Sequence, residues 1–224
     1  MHIVSFSRLQ LFRQCPYRYF LRYVKKLPEP PSEPLEIGKA VHTAVELIHG
    51  GTPRGEAVDR AVRNAALAVS AAEVAALVRN ADIVPGEGEV EAEFMLRLDR
   101  DVWLYGLIDW IVDHGDGTVT VTDWKTNRVE EDVIVTHQLD LYAAAAFRVF
   151  GARRVVTRYV FVRTGNVHEK TYDAPPEEAL AWARETAAEI IERGEAEENF
   201  RPNHGFWCKH CPFAMQCYAL WGRL

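Results

Sequence analysis

The sequence has little of what a membrane protein, a fibre or a disordered chain needs. Its longest weakly apolar stretch, about residues 65–78, is interrupted by Ser70 and Glu73 and falls short of the roughly 18 residues of a membrane span. Of the 224 residues, 48% are hydrophobic and 26% are charged, which is ordinary for a chain that buries a sizeable core. The composition excludes collagen-like and disordered proteins and predicts a protein outside the membrane.

The first residues also lack the features of an export signal. Arg8, Arg13 and Arg18 interrupt the region in which a signal peptide would carry its apolar segment. We therefore expect a cytoplasmic protein in a reducing compartment, where disulfide bonds are rare.

Acidic residues are absent from both ends of the chain. Residues 1–28 and 201–224 contain only cations among their charged residues, so the formal net charge of −6 comes from a strongly acidic middle. Arg13, Arg18 and Arg22 are interleaved with aromatic residues, as in grooves that bind single-stranded nucleic acid through phosphate contacts and base stacking. The same pattern fits an amphipathic helix whose aromatic residues are core and whose arginines are solvated.

The order of predicted elements indicates an α/β protein with a mixed sheet flanked by helices. Helical patterns cover residues 5–23, 38–48, 55–80, 134–150 and 176–198. Strand patterns cover residues 89–98, 102–113, 118–123, 154–163 and 167–172. A proline-rich connector is predicted over residues 28–34, and residues 114–117 form a hairpin turn.

Two carboxylates stand on the strands that this hairpin joins. If those strands are antiparallel neighbours, Asp109 and Asp123 lie close together at the edge of the sheet, where their oxygens suit Mg²⁺ or Mn²⁺. Lys125 projects to the same face as Asp123 because strand side chains alternate, so it can hold or deprotonate a water and stabilise charge on phosphorus. The alternative is a charge pair at an exposed strand end.

Other polar residues fall at positions that suit the same site. His42 and Glu46 are four residues apart and share one helical face, which allows an imidazole ligand to the metal. Glu91 lies in the first strand, and Gln138 and Tyr142 share a face of a later helix, from which they can grip a phosphate or a base. Each of these residues also has an ordinary reading, as a core histidine, an exposed strand acid or a helix flank.

Five short motifs together resemble the RecB-type branch of the PD-(D/E)xK nucleases. In chain order they are GKAVH at residues 38–42, VEAEF at 90–94, GLID at 106–109, DWK at 123–125 and QLDLY at 138–142. The resemblance covers about residues 5–220 and implies a restriction-endonuclease-like core in a single nuclease domain over residues 1–224. Ile108 stands where the family name has proline, and the acid that follows is kept.

The resemblance also implies roles for the motif residues. His42, Asp109, Asp123 and the backbone carbonyl of Trp124 would bind Mg²⁺ or Mn²⁺, and Lys125 would assist the water that attacks phosphorus. Glu91, Gln138 and Tyr142 map onto supporting positions.

The chain has four cysteines, and their spacing is uneven. One stands near the N-terminus and the other three form a CxxCxxxxxC pattern near the C-terminus: Cys15, Cys208, Cys211 and Cys217. Four thiolates suit either Zn²⁺ or an iron-sulfur cluster, and spacing alone does not separate the two. His204 and His210 keep a mixed zinc site open, and four free thiols are a further alternative.

This cysteine pattern resembles the iron-sulfur subset of RecB-type nucleases. That subset comprises the AddB helicase-nuclease subunits and the CRISPR-associated adaptation exonucleases, and phages carry similar small enzymes. The resemblance implies a four-iron four-sulfur (4Fe-4S) cluster of structural function, which joins residues 1–28 to residues 201–224, with Zn²⁺ the less favoured occupant.

The implied activity is metal-dependent exonuclease action on DNA. The enzyme would hydrolyse phosphodiester bonds of single-stranded DNA or of DNA ends with a metal-activated water, with CRISPR integration or recombination proteins as partners. One alternative is a non-catalytic DNA-end-binding component of a CRISPR adaptation or recombination complex. Another is an electron-transfer iron-sulfur protein, which would leave the strand-borne acids unexplained.

Overall fold

The computed structural model describes residues 1–222, so the cation Arg223 lies outside the described residues. The chain divides into two compact units. The first unit comprises residues 1–30, 97–105 and the segment from residue 180 onward, and the second comprises residues 31–96 and 106–179. All four cysteines belong to the first unit, and the predicted metal and catalytic residues belong to the second.

The strands pair into a mixed sheet. They are β1 (His2–Val4), β2 (Glu89–Asp99), β3 (Val102–Asp113), β4 (Thr118–Lys125), β5 (Arg154–Phe161) and β6 (Asn166–Tyr172). The strand order is β1-β3-β4-β5-β6, and β2 also pairs with β3. β1 is parallel to β3 and β4 to β5, whereas the β3–β4 and β5–β6 pairs are antiparallel. The predicted mixed sheet is confirmed.

Helices precede, interrupt and follow the strands. They are α1 (Phe6–Gln14), α2 (Pro16–Tyr19), α3 (Glu33–His49), α4 (Arg54–Arg63), α5 (Ala71–Arg79), α6 (Glu131–Ile134), α7 (Gln138–Arg148), α8 (Glu177–Arg193) and α9 (Ala214–Trp221). α2 continues as a π-helical turn over Phe20–Val24, and 3₁₀ turns span Glu197–Asn199 and Phe206–His210. Within residues 1–222, no helix combines the length and the apolar character that crossing a membrane requires.

Two predicted helices are each divided in the structure. The N-terminal one breaks at Cys15, whose backbone is extended with φ −156° and ψ 104°, because the residue before a proline disfavours the helical conformation. The alanine-rich stretch forms α4 and α5 instead of one long helix. Ser70 caps α5 by accepting a hydrogen bond from the Glu73 backbone N–H, and the buried carboxylate of Glu36 accepts the Ala66 backbone N–H at 2.7 Å. These two bonds satisfy polar groups in the link between the helices.

α3 begins at Glu33, five residues before the predicted start. Pro34 lies in its first turn, where a missing backbone N–H removes no helical hydrogen bond. The proline-rich connector is correspondingly shorter than predicted.

One core of the second unit lies between α3, α4, α5 and the sheet. Trp110 of β3 and Trp124 of β4 belong to this core, and their rings stack 6.0 Å apart at 12°. Each indole N–H is satisfied by a backbone carbonyl, that of Glu87 for Trp110 and that of Ala81 for Trp124. Because strand side chains alternate between faces, Asp123 and Lys125 point away from this core, towards the face on which α7 packs against β4 and β5.

The core of the first unit is aromatic. Phe12, Tyr17, Tyr19 and Phe20 are each at most 7% exposed, and they cluster with Phe200. These N-terminal aromatic side chains are therefore core residues, as in the alternative of an amphipathic helix. Their burial leaves no ring face free for stacking on bases.

Candidate functional site

The two predicted acids lie next to each other on central strands. The β3–β4 ladder pairs Trp110 with Thr122, and Asp109 and Asp123 stand one residue beyond that pair. The Trp124 backbone N–H donates to Asp109 Oδ2 at 2.8 Å across the strands. The expected position at the edge of the sheet is wrong, because β5 pairs with β4 on its other side. This placement buries both carboxylates, with the side chains of Asp109 and Asp123 12% and 2% exposed.

Lys125, Asp123 and Gln138 form one hydrogen-bonded group. Lys125 Nζ lies 2.7 Å from Asp123 Oδ2 and donates to Gln138 Oε1 at 2.7 Å. The Gln138 amide then donates to Asp123 Oδ1 at 2.8 Å and to the Tyr142 hydroxyl at 3.2 Å. α7 thereby fixes the relative positions of the lysine and the carboxylate.

His42 connects α3 to the ends of β3 and β4. Its Nε2 lies 3.1 Å from the Trp124 carbonyl oxygen, and its Nδ1 lies 3.5 Å from Asp109 Oδ1 and 4.0 Å from Glu91 Oε1. One ligand atom each of His42, Glu91 and Asp109 lie within 4.8 Å of one another. In the described part of the chain this is the one such group of three or more His, Cys, Asp or Glu residues.

The acids of the site are buried or half-buried, and burial disfavours their charged forms. Burial raises the pKa of Asp109 well above its usual range, and the nearby Asp123 carboxylate raises it further, against the opposing effect of Lys125. Burial also raises the pKa of Glu91. Burial and the Asp123 charge raise the pKa of Tyr142, so its hydroxyl stays neutral.

This donor set fits a divalent cation. An imidazole nitrogen, carboxylate oxygens and a backbone carbonyl are ligands that Mn²⁺ and Mg²⁺ accept. Asp123 Oδ2 is buried and accepts no aligned hydrogen bond, although the Lys125 ammonium is close to it. A bound cation would satisfy that oxygen and offset the repulsion between the acids.

Sequence reasoning missed Tyr159 of β5. The Lys125 ammonium lies 5.4 Å from the centre of its ring, and burial and the Asp123 charge raise the pKa of its hydroxyl. Strand periodicity was the available signal. Tyr159 pairs with Asp123 in the parallel β4–β5 ladder, so its side chain lies on the same face of the sheet as Asp123 and Lys125.

The three arginines predicted to bind DNA take part in ion pairs within the first unit. Arg13 pairs with Glu189 and donates to the Thr186 hydroxyl, while Arg18 and Arg22 both pair with Glu29. A DNA phosphate would compete with these carboxylates.

The four cysteines are unpaired thiols that line one cavity of the first unit. No three of their sulfur atoms lie within 4.8 Å of one another, whereas the four ligands of a tetrahedral zinc site stand about 3.8 Å apart, given Zn–S bonds of about 2.3 Å. Burial raises the pKa of Cys211 and of Cys217. The structure thus brings the four side chains to one cavity without the sulfur spacing of a zinc centre.

Comparisons with known proteins bear on the family of the chain. The family model of the PD-(D/E)XK nuclease superfamily matches residues 3–218. No curated protein sequence matches the chain. A solved structure titled "Crystal structure of SSO0001" is 15% identical, with 97% of this chain and 86% of that chain covered and a TM-score of 0.44. Because the family model spans nearly the whole sequence, the chain belongs to the PD-(D/E)XK nuclease superfamily.

Proposed function

We propose that the protein is a Mg²⁺- or Mn²⁺-dependent DNA exonuclease of the RecB type, which hydrolyses phosphodiester bonds of single-stranded DNA or of DNA ends. Membership of a superfamily of metal-dependent nucleases supports the reaction class. The observation that carries the proposal is the meeting of Asp109, Asp123, Lys125 and His42 at one end of the β3–β4 pair.

Each residue of the site has a chemical task in this proposal. His42, Asp109, Asp123 and the Trp124 carbonyl hold the cation. A divalent cation bound there would polarise a phosphate oxygen and lower the pKa of a bound water. Lys125 presents an ammonium to the attacking water or to the phosphate charge that develops.

Alanine variants of Lys125 and Asp109 test the activity. We expect Lys125→Ala and Asp109→Ala to reduce cleavage of DNA by about 10²-fold or more, with the fold retained in circular dichroism. Lys170→Ala and Asp59→Ala serve as controls, since both are exposed residues of the same unit, and they should cleave like the wild type. Undiminished cleavage by either site variant would reject the assignment.

Substrate topology tests the exonuclease assignment. Anaerobically purified protein with Mn²⁺ should degrade end-labelled linear single-stranded DNA and spare circular DNA of the same sequence. Cleavage of both at equal rates would make the enzyme an endonuclease.

We propose that the four cysteines bind one 4Fe-4S cluster, which fastens residues 1–28 to residues 201–224 within a single nuclease domain. The shared cavity and the free thiols support this proposal. A reducing cytoplasmic compartment would keep the thiols available. Iron and sulfide analysis with the visible absorption spectrum tests it. Stoichiometric zinc without iron would reject it.

The cysteine pattern also underlies our proposal of a place among the AddB and CRISPR-associated adaptation exonucleases or their phage relatives. CRISPR integration or recombination proteins are then the proposed partners. A non-catalytic DNA-end-binding component would bind DNA ends without cleaving them in Mn²⁺, and the assays above separate it from the enzyme. The complete set of His42, Asp109, Asp123 and Lys125 favours the enzyme.

A further inference from the structure

Glu91 has an unusual backbone conformation for a strand residue. Its φ is +52° within β2, whereas strand residues have φ near −120° to −140°. The other non-glycine residues with positive φ in the described chain, Lys26 and Asp82, lie outside helices and strands. A glutamate rarely adopts this conformation because its Cβ then crowds the backbone, and such strain concentrates at functional sites.

The left-handed conformation changes the direction of the Glu91 side chain. Along the rest of β2, exposed and buried residues alternate, with Glu93 and Met95 exposed and Ala92 and Phe94 buried. The period of two would place Glu91 in the exposed row. Its carboxylate is instead half-buried, with Oε1 4.0 Å from His42 Nδ1.

Glu91 belongs to the most closely spaced ligand atoms of the site. Glu91, His42 and Asp109 form the group whose ligand atoms lie within 4.8 Å of one another. Asp123 Oδ1 accepts from Gln138 and Oδ2 lies against the Lys125 ammonium, so Glu91 supplies a carboxylate that has no such competing cation beside it among the described residues. The side chains of His42 and Glu91 are 30% and 38% exposed, so a hydrated ion can reach them.

We infer that Glu91 is a direct ligand of the divalent cation and that the left-handed backbone at residue 91 is what places its carboxylate there. The inference rests on the proposed metal-dependent function. It replaces the supporting role that the sequence motif implies for Glu91 with a place among the metal ligands.

A glycine substitution separates the backbone from the carboxylate. Glycine adopts positive φ without steric cost, so Glu91→Gly should keep the fold and raise the Tm of the metal-free protein by about 2–4 °C. The same variant should bind Mn²⁺ at least tenfold more weakly in calorimetric or EPR titration. Glu91→Gln removes the charge and keeps the side-chain size and the strain. It should weaken Mn²⁺ binding too, and the amount by which the Tm of Glu91→Gly exceeds that of Glu91→Gln measures the relief of strain.

Glu89→Gly is the matched control on the same strand. Glu89 is exposed and has no positive φ, so glycine there should lower Tm through added freedom of the unfolded chain and leave Mn²⁺ affinity unchanged. Wild-type Mn²⁺ affinity in Glu91→Gly would overturn the inference, as would a wild-type protein that binds no Mn²⁺. A lower Tm in Glu91→Gly would overturn the account of strain.

DNA cleavage by the wild type separates this inference from the proposed function. If the wild type cleaves DNA and Glu91→Gly binds Mn²⁺ normally, the inference alone fails. If the wild type does not cleave DNA and Glu91→Gly loses Mn²⁺ affinity, the inference holds and the nuclease proposal fails.

Discussion

At the scale of single residues, Gln138 connects the Lys125 ammonium to the Asp123 carboxylate. A glutamine both donates and accepts hydrogen bonds, and here the carbonyl faces Lys125 while the amide N–H groups face Asp123 and Tyr142. Neither a carboxylate nor an apolar side chain can make both kinds of contact. The position of the lysine ammonium therefore depends on this amide.

Replacement of Gln138 tests that dependence. We expect Gln138→Leu to lower kcat by about 10–100-fold through misplacement of the general acid-base group, with a small change in KM and Tm. Tyr142→Phe, which loses only the 3.2 Å hydrogen bond to Gln138, should have a weaker effect. Steady-state kinetics on linear single-stranded DNA measure both. A Gln138→Leu enzyme with wild-type kcat would show that Lys125 is positioned without the amide.

The buried carboxylate of Asp109 makes the stability of the metal-free protein depend on pH. Its pKa is raised in the folded state, chiefly by burial, so the folded protein holds a proton that the unfolded chain releases at about pH 4. Stability therefore falls as pH rises above that value.

An asparagine substitution should remove this pH dependence. In EDTA at pH 7 we expect Asp109→Asn to be about 1–2 kcal/mol more stable than the wild type, since the amide can still accept the Trp124 backbone N–H. The difference should shrink as pH is lowered to 4. Urea denaturation across that range measures it, and parallel pH profiles for the two proteins would contradict the prediction.

At the scale of elements, β2 and β3 approach each other closely at Gly106. A Cβ at residue 106 would lie 2.5 Å from ring atoms of Phe94, which is 2% exposed and meets the Tyr142 ring edge to face at 5.7 Å. Gly106, the glycine of the GLID motif, is thus needed because a larger residue would collide with Phe94. It lies three residues before Asp109. An added methyl group would push Phe94 against the helix that carries Gln138.

We expect Gly106→Ala to destabilise the protein by about 1–3 kcal/mol through overpacking. In that background Phe94→Leu should restore part of the loss by making room, although alone it removes buried contacts. A double-mutant cycle from urea denaturation gives the coupling energy. Strict additivity of the two substitutions would show that the Cβ is accommodated elsewhere.

Periodicity predicted the elements near the site well and the helices near the N-terminus less well. The predicted bounds of β3 are the observed ones, because a buried strand between turn residues has an unmistakable pattern. The break between α4 and α5 lies in an alanine-rich stretch that favours helix throughout. There the hydrogen bond from Ala66 to Glu36, 30 residues away, competes with local propensity.

At the scale of the whole molecule, charge and cysteines are divided between the two units. The acid-free segments and all four cysteines belong to the first unit, and the acids of the site belong to the second. Much of the N-terminal charge is nevertheless neutralised within its own unit, as by the pairs Arg13–Glu189 and Lys25–Glu197. We still predict that DNA binding weakens more when Arg13, Arg18 or Arg22 is neutralised than when a cation elsewhere is changed. A salt titration of DNA binding by each variant tests this prediction.

Loss of the cysteine site should affect the first unit first. We expect Cys15→Ser, at a buried position of the cysteine cavity, to abolish iron binding and to speed tryptic cleavage within residues 1–30 and after residue 180. Met215→Ser, 72% exposed in α9, is the control in the same unit. Mass spectrometry of timed digests identifies the cleaved segments. An equal increase in cleavage within the second unit, residues 31–96 and 106–179, would contradict the prediction.

The sequence by itself determined which residues can do chemistry here. Alternation fixed the shared face of Asp123 and Lys125, motif order indicated the nuclease family, and cysteine spacing singled out four thiols, because each of these signals is local or depends only on order along the chain. Tertiary structure decided the rest. β5 pairs with β4, so the two acids lie at the centre of the sheet and not at an edge. The Gln138 amide contacts both Lys125 and Asp123. The left-handed backbone at residue 91 accompanies the approach of the Glu91 carboxylate to His42. Those outcomes depend on contacts between distant segments and on a backbone angle, neither of which a local pattern specifies.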